Sequence, residues 1–129
     1  MKEIKVIAAA IIKDGKLLIA QRPKNKTLAL VWEFPGGKVE DGETNEDCLI
    51  REIKEELDVL ISVDQFIGKS SHTYTFGHIT IYLYKATILE GELKLLEHNA
   101  IKWINSNKFN EYQFPPLDED LIKKVKELF

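Results

Sequence analysis

Apolar residues fall along this chain mostly in short alternating or continuous runs, and only two stretches carry helical spacing. Val6 to Ile12 is unbroken apolar sequence, and Asp14-Gly15 separates it from a second run, so strands are expected at 3 to 13 and 16 to 22, joined as a hairpin. A short strand follows near 31 to 34. Extended segments are expected at 60 to 76 and 78 to 88 with a turn at Phe76-Gly77, and another at 100 to 104 around Trp103. Leu49, Ile50, Ile53 and Leu57 form one stripe of a helix from 45 to 57. Thr44 suits its N-cap, and Asp47 three residues on makes a weaker version of a capping box. The last helix is expected from 118 to 128, begun by Asp118 after two prolines and packed through Leu121, Val125 and Leu128. Ile79, Ile81 and Leu83 alternate with Tyr82 and Tyr84, so the strands have two apolar faces. That order fits a mixed sheet with a helix on each face, an α/β/α sandwich.

Composition narrows the reading. The chain has 129 residues, 44% of them hydrophobic, enough for one domain spanning 1 to 129 and too few for two ordinary ones. Its net charge of −3, without a basic run, argues against a nucleic-acid polymer or an anionic membrane as partner. Nothing in the first apolar run is long enough to span a bilayer, and no targeting signal is evident. The single cysteine, Cys48, cannot form an internal disulfide and reads as a small apolar helix residue rather than a nucleophile; a reducing cytoplasm fits.

The chemistry concentrates in GKVEDGETNEDCLIREIKEELDV, from Gly37 to Val59. With about 3.6 residues per turn, Glu52 lies one turn before Glu55 and Glu56, and the three carboxylates gather beside the apolar stripe, at a cleft and not in a core. Taken alone they read equally well as a solvated face paired with Lys54 and Arg51. The preceding Phe34-Pro35-Gly36-Gly37-Lys38 changes the balance: two glycines permit close backbone approach and exposed carbonyls beside a cation suited to phosphate. Mg²⁺ takes oxygen ligands and is held by one or two carboxylates plus substrate phosphates, so a phosphate substrate is the natural partner.

These residues resemble the Nudix box: Gly, five residues, Glu, seven residues, Arg-Glu, an aliphatic residue, any residue, Glu-Glu, any residue, Gly, aliphatic. Gly37, Glu43, Arg51, Glu52, Ile53, Glu55, Glu56 and Val59 fall in register, and only the last glycine is replaced, by Asp58. Asp tolerates the left-handed conformation that ends a helix better than most residues, so this departure bears on stability and not on chemistry. Trp32-Glu33-Phe34-Pro35-Gly36-Gly37-Lys38 and Phe114-Pro115-Pro116-Leu117-Asp118 resemble the MutT-type branch. The resemblance implies a Nudix-type α/β/α sandwich and hydrolysis of a free nucleoside triphosphate to a monophosphate and pyrophosphate. It implies Mg²⁺, with Mn²⁺ as a substitute, held by Glu52 and Glu56, with Glu55 assisting, a carbonyl near Gly37 contributing and Glu97 reaching in from a later loop. Glu52 and Glu97 are both eligible as general base, Lys38 neutralises phosphate, and Arg51 orients the glutamates by pairing with Glu43 or Glu55.

For the substrate, Asp118 falls where MutT-type proteins contact the base. An ionised Asp only accepts hydrogen bonds, which suits a donor-rich edge such as cytosine N4, yet an Asp there also serves as a helix cap. Phe34 packs beside the base, Arg22 holds phosphate or the base rim, Gly36 and Gly37 allow close approach, and Tyr74 lines the pocket. His72, His78 and His98 read as ordinary polar surface. The expectation is a MutT-like enzyme acting on oxidised nucleotides such as 8-oxo-dGTP, with CTP or dCTP as the alternative substrate and a catalytically inactive nucleotide-binding regulator as the alternative of another class. A cytoplasmic monomer or weak dimer is expected.

Overall fold

The computed structural model describes residues 2–129. Strand β1 (Glu3–Lys13) is its axis, because its residues alternate between two cores. Ile7, Ala9 and Ile11 face one hydrophobic cluster and Ala8 and Ala10 face the other, all at most 2% exposed. Helix α1 (Asn45–Leu57) covers the first cluster through Cys48, Leu49, Ile53 and Leu57. Helix α2 (Pro116–Lys126) covers the second through Leu117, Leu121 and Val125. The continuous apolar character of Val6 to Ile12 thus has a physical reason: a strand sandwiched between helices must be apolar on both faces.

The remaining strands are β2 (Lys16–Gln21), β3 (Trp32–Glu33), β4 (Gly36–Lys38), β5 (Leu60–Tyr74), β6 (Gly77–Glu90) and β7 (Ala100–Ile104). They form a mixed sheet in the order β3-β2-β1-β6-β5, with β4 paired to β1 and β7 paired to β2. Only β1 and β6 run parallel, in a register that sets Val6 beside Ile81 and Ala8 beside Leu83; the other pairs are antiparallel. Asp14 and Gly15, both at positive φ, make the β1–β2 hairpin. The sandwich expected from the sequence is therefore the fold observed.

Helix α1 has the expected limits. Thr44 Oγ1 accepts from the Asp47 N–H at 3.1 Å, and Asp58 ends the helix at φ 58°, ψ 36°, its N–H donating to the Lys54 carbonyl. Asp58 thus occupies the left-handed position as expected, and Lys54 and Lys94 pair with it at 2.9 and 3.3 Å.

Two expectations change, and one element is new. Helix α2 starts two residues before Asp118: Pro115 is the N-cap and Pro116 the first helical residue, where a missing N–H is harmless. Asp118 therefore does not cap the helix but sits in its first turn. Gly36–Lys38, which lies outside the strands expected from the sequence, is strand β4, its pairing set by Ala8 opposite Gly36 and Ile7 opposite Gly37. A short 3-10 turn at Phe109–Glu111, unmarked in the sequence, buries Phe109 against Phe114. Among the described residues no helix is long and apolar enough to cross a membrane.

Candidate active site

A cleft of about 550 Å³ opens where β1, β3, β4, β6, α1 and the segment before β7 meet. Val6, Ala8, Phe34, Ile79 and Ile81 make its apolar wall, while Glu33, Glu52, Glu56, Glu97 and Asp118 supply carboxyl groups. Arg22, Lys26 and Lys38 line it as the cations.

The acidic part is built by α1 and β4 together. Gly37 lies so close to Glu52 that a Cβ on it would fall inside the Glu52 carboxylate, and a Cβ on Gly36 would strike the carbonyl oxygen of Ile7 on β1. Gly36 is thus required by its close approach to the β1 backbone, whereas a side chain at Gly37 would displace the Glu52 carboxylate. Arg51 fixes the geometry from the side. It holds Glu43 with two bonds, 2.6 and 2.9 Å, and reaches Glu52 at 2.9 Å, Glu55 at 3.3 Å and the Lys38 carbonyl at 3.3 Å. The fork geometry of a guanidinium allows one residue to join the loop, the helix and β4 in this way. Arg51 and the Glu40 N–H hold the Glu43 carboxyl down at about 2.

Glu56 departs from the expectation that the acids stand at a cleft edge. It is 3% exposed, buried along α1 with Cys48, Leu49, Ile53 and Leu57 while still lining the cleft. Burial first, then the hydrogen bond and charge of Glu52 and the charges of Glu33 and Glu97, push its carboxyl far above the usual carboxylate range. The Oε1 of Glu56 has no hydrogen-bond partner.

These features fit a hard divalent cation. A buried orphan carboxylate oxygen, a second carboxylate one turn away and a glycine backbone pressed against it make an oxygen-only donor set. Among the described residues no three His, Cys, Asp or Glu side chains are gathered closely enough to hold a metal ion by themselves. Glu97 lines the same cleft, whereas Glu55 stays on the exposed rim, tied to Arg51, and does not line it.

At the other end, Asp118 is 4% exposed and its Oδ2 accepts from the Phe34 N–H at 3.0 Å. Burial pushes its carboxyl up to about 7; the Phe34 bond opposes this and the charge of Glu33 adds to it. Asp118 is therefore not restricted to accepting near neutral pH, since its protonated form both donates and accepts. Phe34 and Arg22 line the cleft as expected. Tyr74 does not: its ring stacks on Phe76 at 5.2 Å and lies against His72 at 4.5 Å. It sits behind Asp118, whose charge, after burial, raises the Tyr74 phenol. Cys48 is buried with its thiol pushed up to about 11 by desolvation, which agrees with a packing role.

Of the cleft residues that the sequence reading did not assign, Glu33 and His98 bear most on the acids. Glu33 raises the carboxyls of both Glu56 and Asp118, so it stands between the two ends of the cleft. Its Oε1 accepts from Arg22 at 3.0 Å, and His98 Nε2 lies 3.0 Å from its Oε2. His98 is not the surface residue expected: its side chain is 5% exposed and lines the cleft with Glu97. The only trace of it in the sequence was adjacency to Glu97.

Comparison with known proteins agrees with this geometry. A family model described as "NUDIX domain" matches residues 7–124. The CTP pyrophosphohydrolase of Escherichia coli K12 is 35% identical over 123 residues, 95% of this chain and 91% of that protein. The 8-oxo-dGTP diphosphatase of the same organism is 32% identical over 130 residues, covering 99% of this chain and 100% of that one. Among solved structures, the DNA mismatch repair protein MutT (family Nudix hydrolase) of methicillin-resistant Staphylococcus aureus 252 superposes with a TM-score of 0.81 at 38% identity, covering 99% of this chain and 98% of that one.

Proposed function

The chain belongs to the Nudix hydrolase family, and from that premise we propose that it hydrolyses a free nucleoside triphosphate to the monophosphate and pyrophosphate, in the manner of the MutT-type branch. One observation carries the reading: the buried orphan oxygen of Glu56, beside Glu52 and the Gly37 backbone, lies in the same cleft as Asp118. A phosphate-and-cation site and a base-reading group thus share one opening, as a nucleotide requires.

Nudix hydrolases generally need a divalent metal, and here the reading takes Mg²⁺, with Mn²⁺ as a substitute. Glu52 and Glu56 would hold it, with the Gly37 carbonyl contributing, Glu97 facing them and Glu55 assisting from the rim. Such an ion supplies positive charge against the polyphosphate and makes water a better nucleophile at neutral pH. Arg51 keeps Glu52 aligned, and Glu52 or Glu97 accepts the proton of the attacking water. Lys38 and Arg22 face the phosphates, and Phe34 with Ile81 walls the base. The setting proposed is a cytoplasmic monomer or weak dimer.

Asp118 decides the base. With its carboxyl near 7, the protonated form offers a donor and an acceptor to an oxidised purine, and the relatives named 8-oxo-dGTP diphosphatase support 8-oxo-dGTP as the first substrate. The ionised form favours cytosine N4, and the relative named CTP pyrophosphohydrolase supports CTP as the second reading. A hydrolysis screen across ordinary and oxidised nucleotides with Mg²⁺, measuring pyrophosphate and phosphate separately, tests both. Pyrophosphate release that stops on chelation and in Glu52→Gln is expected, and Asp118→Asn should raise the ratio of kcat/KM for 8-oxo-dGTP over CTP. Release of phosphate alone, or a parent whose activity Glu52→Gln leaves unaltered, would refute the reaction; an unchanged ratio would refute the role of Asp118.

A further inference from the structure

Glu97 is exposed, lines the cleft, and has no hydrogen bond to its side chain among the described residues. Its position must therefore come from the backbone on either side. Before it, the Lys94 N–H donates to the Leu57 carbonyl at 2.9 Å and the Leu96 N–H to the Glu56 carbonyl at 3.2 Å, which ties the segment to the end of α1. After it, the Asn99 N–H donates to the Gln21 carbonyl at 2.9 Å and its side chain to Gln21 Oε1 at 2.7 Å, which ties it to the end of β2. Between these clamps His98 points inward, its side chain 5% exposed. Nε2 meets Glu33 Oε2 at 3.0 Å and lies 3.8 Å from Glu56 Oε1, while Nδ1 has no partner.

A buried imidazole with one nitrogen unsatisfied costs more than an apolar side chain of similar size, so stability alone does not account for it. What the ring does accomplish is a fixed link from the Glu97 backbone to Glu33, a carboxylate itself held by Arg22. We propose that His98 is a positioning residue that seats Glu97 over the Glu52–Glu56 pair through its Nε2–H bond to Glu33. The inference rests on the part given to Glu97 above. Displacements near 1 Å at a reacting centre are enough to slow catalysis strongly, so losing this seat should act on turnover more than on nucleotide binding.

The test is a double-mutant cycle on whichever nucleotide the parent hydrolyses, at saturating Mg²⁺, with kcat, KM and the thermal midpoint measured for the parent, Glu97→Gln, His98→Leu, His98→Gln and the Glu97→Gln/His98→Leu pair. His98→Leu should lower kcat about tenfold, the worth of one hydrogen bond to a charged group, with KM within about threefold of the parent. His98→Gln, whose amide can still donate to Glu33, should recover most of the loss, and His98→Leu should have no further effect once Glu97 is Gln. If His98→Leu does not fold, His98→Asn takes its place in the cycle, since its shorter amide does not reach Glu33. Equal loss from the position-98 change with and without Glu97 overturns the proposal and leaves the reading of Glu97 standing. A Glu97→Gln enzyme with parental kcat overturns both.

Discussion

Asp118→Asn offers a test of the cleft that needs no substrate. Asp118 is 4% exposed and burial raises its carboxyl from 3.8 to about 7, so the fold prefers the protonated form. Such a group contributes stability that is fully present below the unfolded value, is lost progressively as pH rises through the window from about 4 to about 7, and does not change further above it. A carboxyl moved from 3.8 to about 7 corresponds to roughly 4 kcal/mol, at about 1.36 kcal/mol for each tenfold change in acidity. An asparagine side-chain oxygen can still accept from the Phe34 N–H, and it carries no charge to desolvate. The variant should therefore lack this pH dependence. Urea unfolding of parent and variant at pH 4.5, 6 and 8 isolates the effect, because every other titrating group is common to both chains. The variant's advantage over the parent should grow by about 3 to 4 kcal/mol between the lowest and highest pH. A difference constant to within about 0.5 kcal/mol across the series would mean that Asp118 titrates as an ordinary exposed carboxyl, and the account of burial in this cleft would fail.

Two further outcomes follow from particular contacts. Gly37→Ala places a Cβ inside the Glu52 carboxylate, so kcat should fall by about a hundredfold or more while the thermal midpoint moves little; parental kcat would show that the close approach is not needed. Asp58→Gly removes a left-handed non-glycine residue but also two exposed ion pairs, which nearly offset. Its unfolding free energy should stay within about 1 kcal/mol of the parent, and a kcat altered more than about threefold would show that the irregular box position affects chemistry.

Much of this protein was legible in local spacing. The limits of α1, Thr44 as its cap, the left-handed Asp58, the Asp14-Gly15 hairpin and the two-faced apolar strands all depend on residues a few positions apart, where helix and strand periods apply directly. The Nudix box was readable for the same reason, since Gly37, Arg51 and Glu52 lie within one strand–loop–helix unit. Other features depended on neighbours distant in sequence. Gly36–Lys38 is a strand only because β1 lies beside it, and Asp118 enters the first turn of α2 because Pro116 can begin that helix.

The sequence by itself determined the fold class, the helix that carries the glutamates and the reaction family, because each of these is encoded in patterns shorter than one element or its adjoining loop. The tertiary structure alone decided which acids are buried, which residues bridge the cleft and how Asp118 titrates. Those properties arise from desolvation and from charges brought together across 84 residues of chain, as Phe34 and Asp118 are. The burial of Glu56 and of His98 is of the same kind: a carboxylate or an imidazole has no fixed chemistry until packing sets the water and the partners around it.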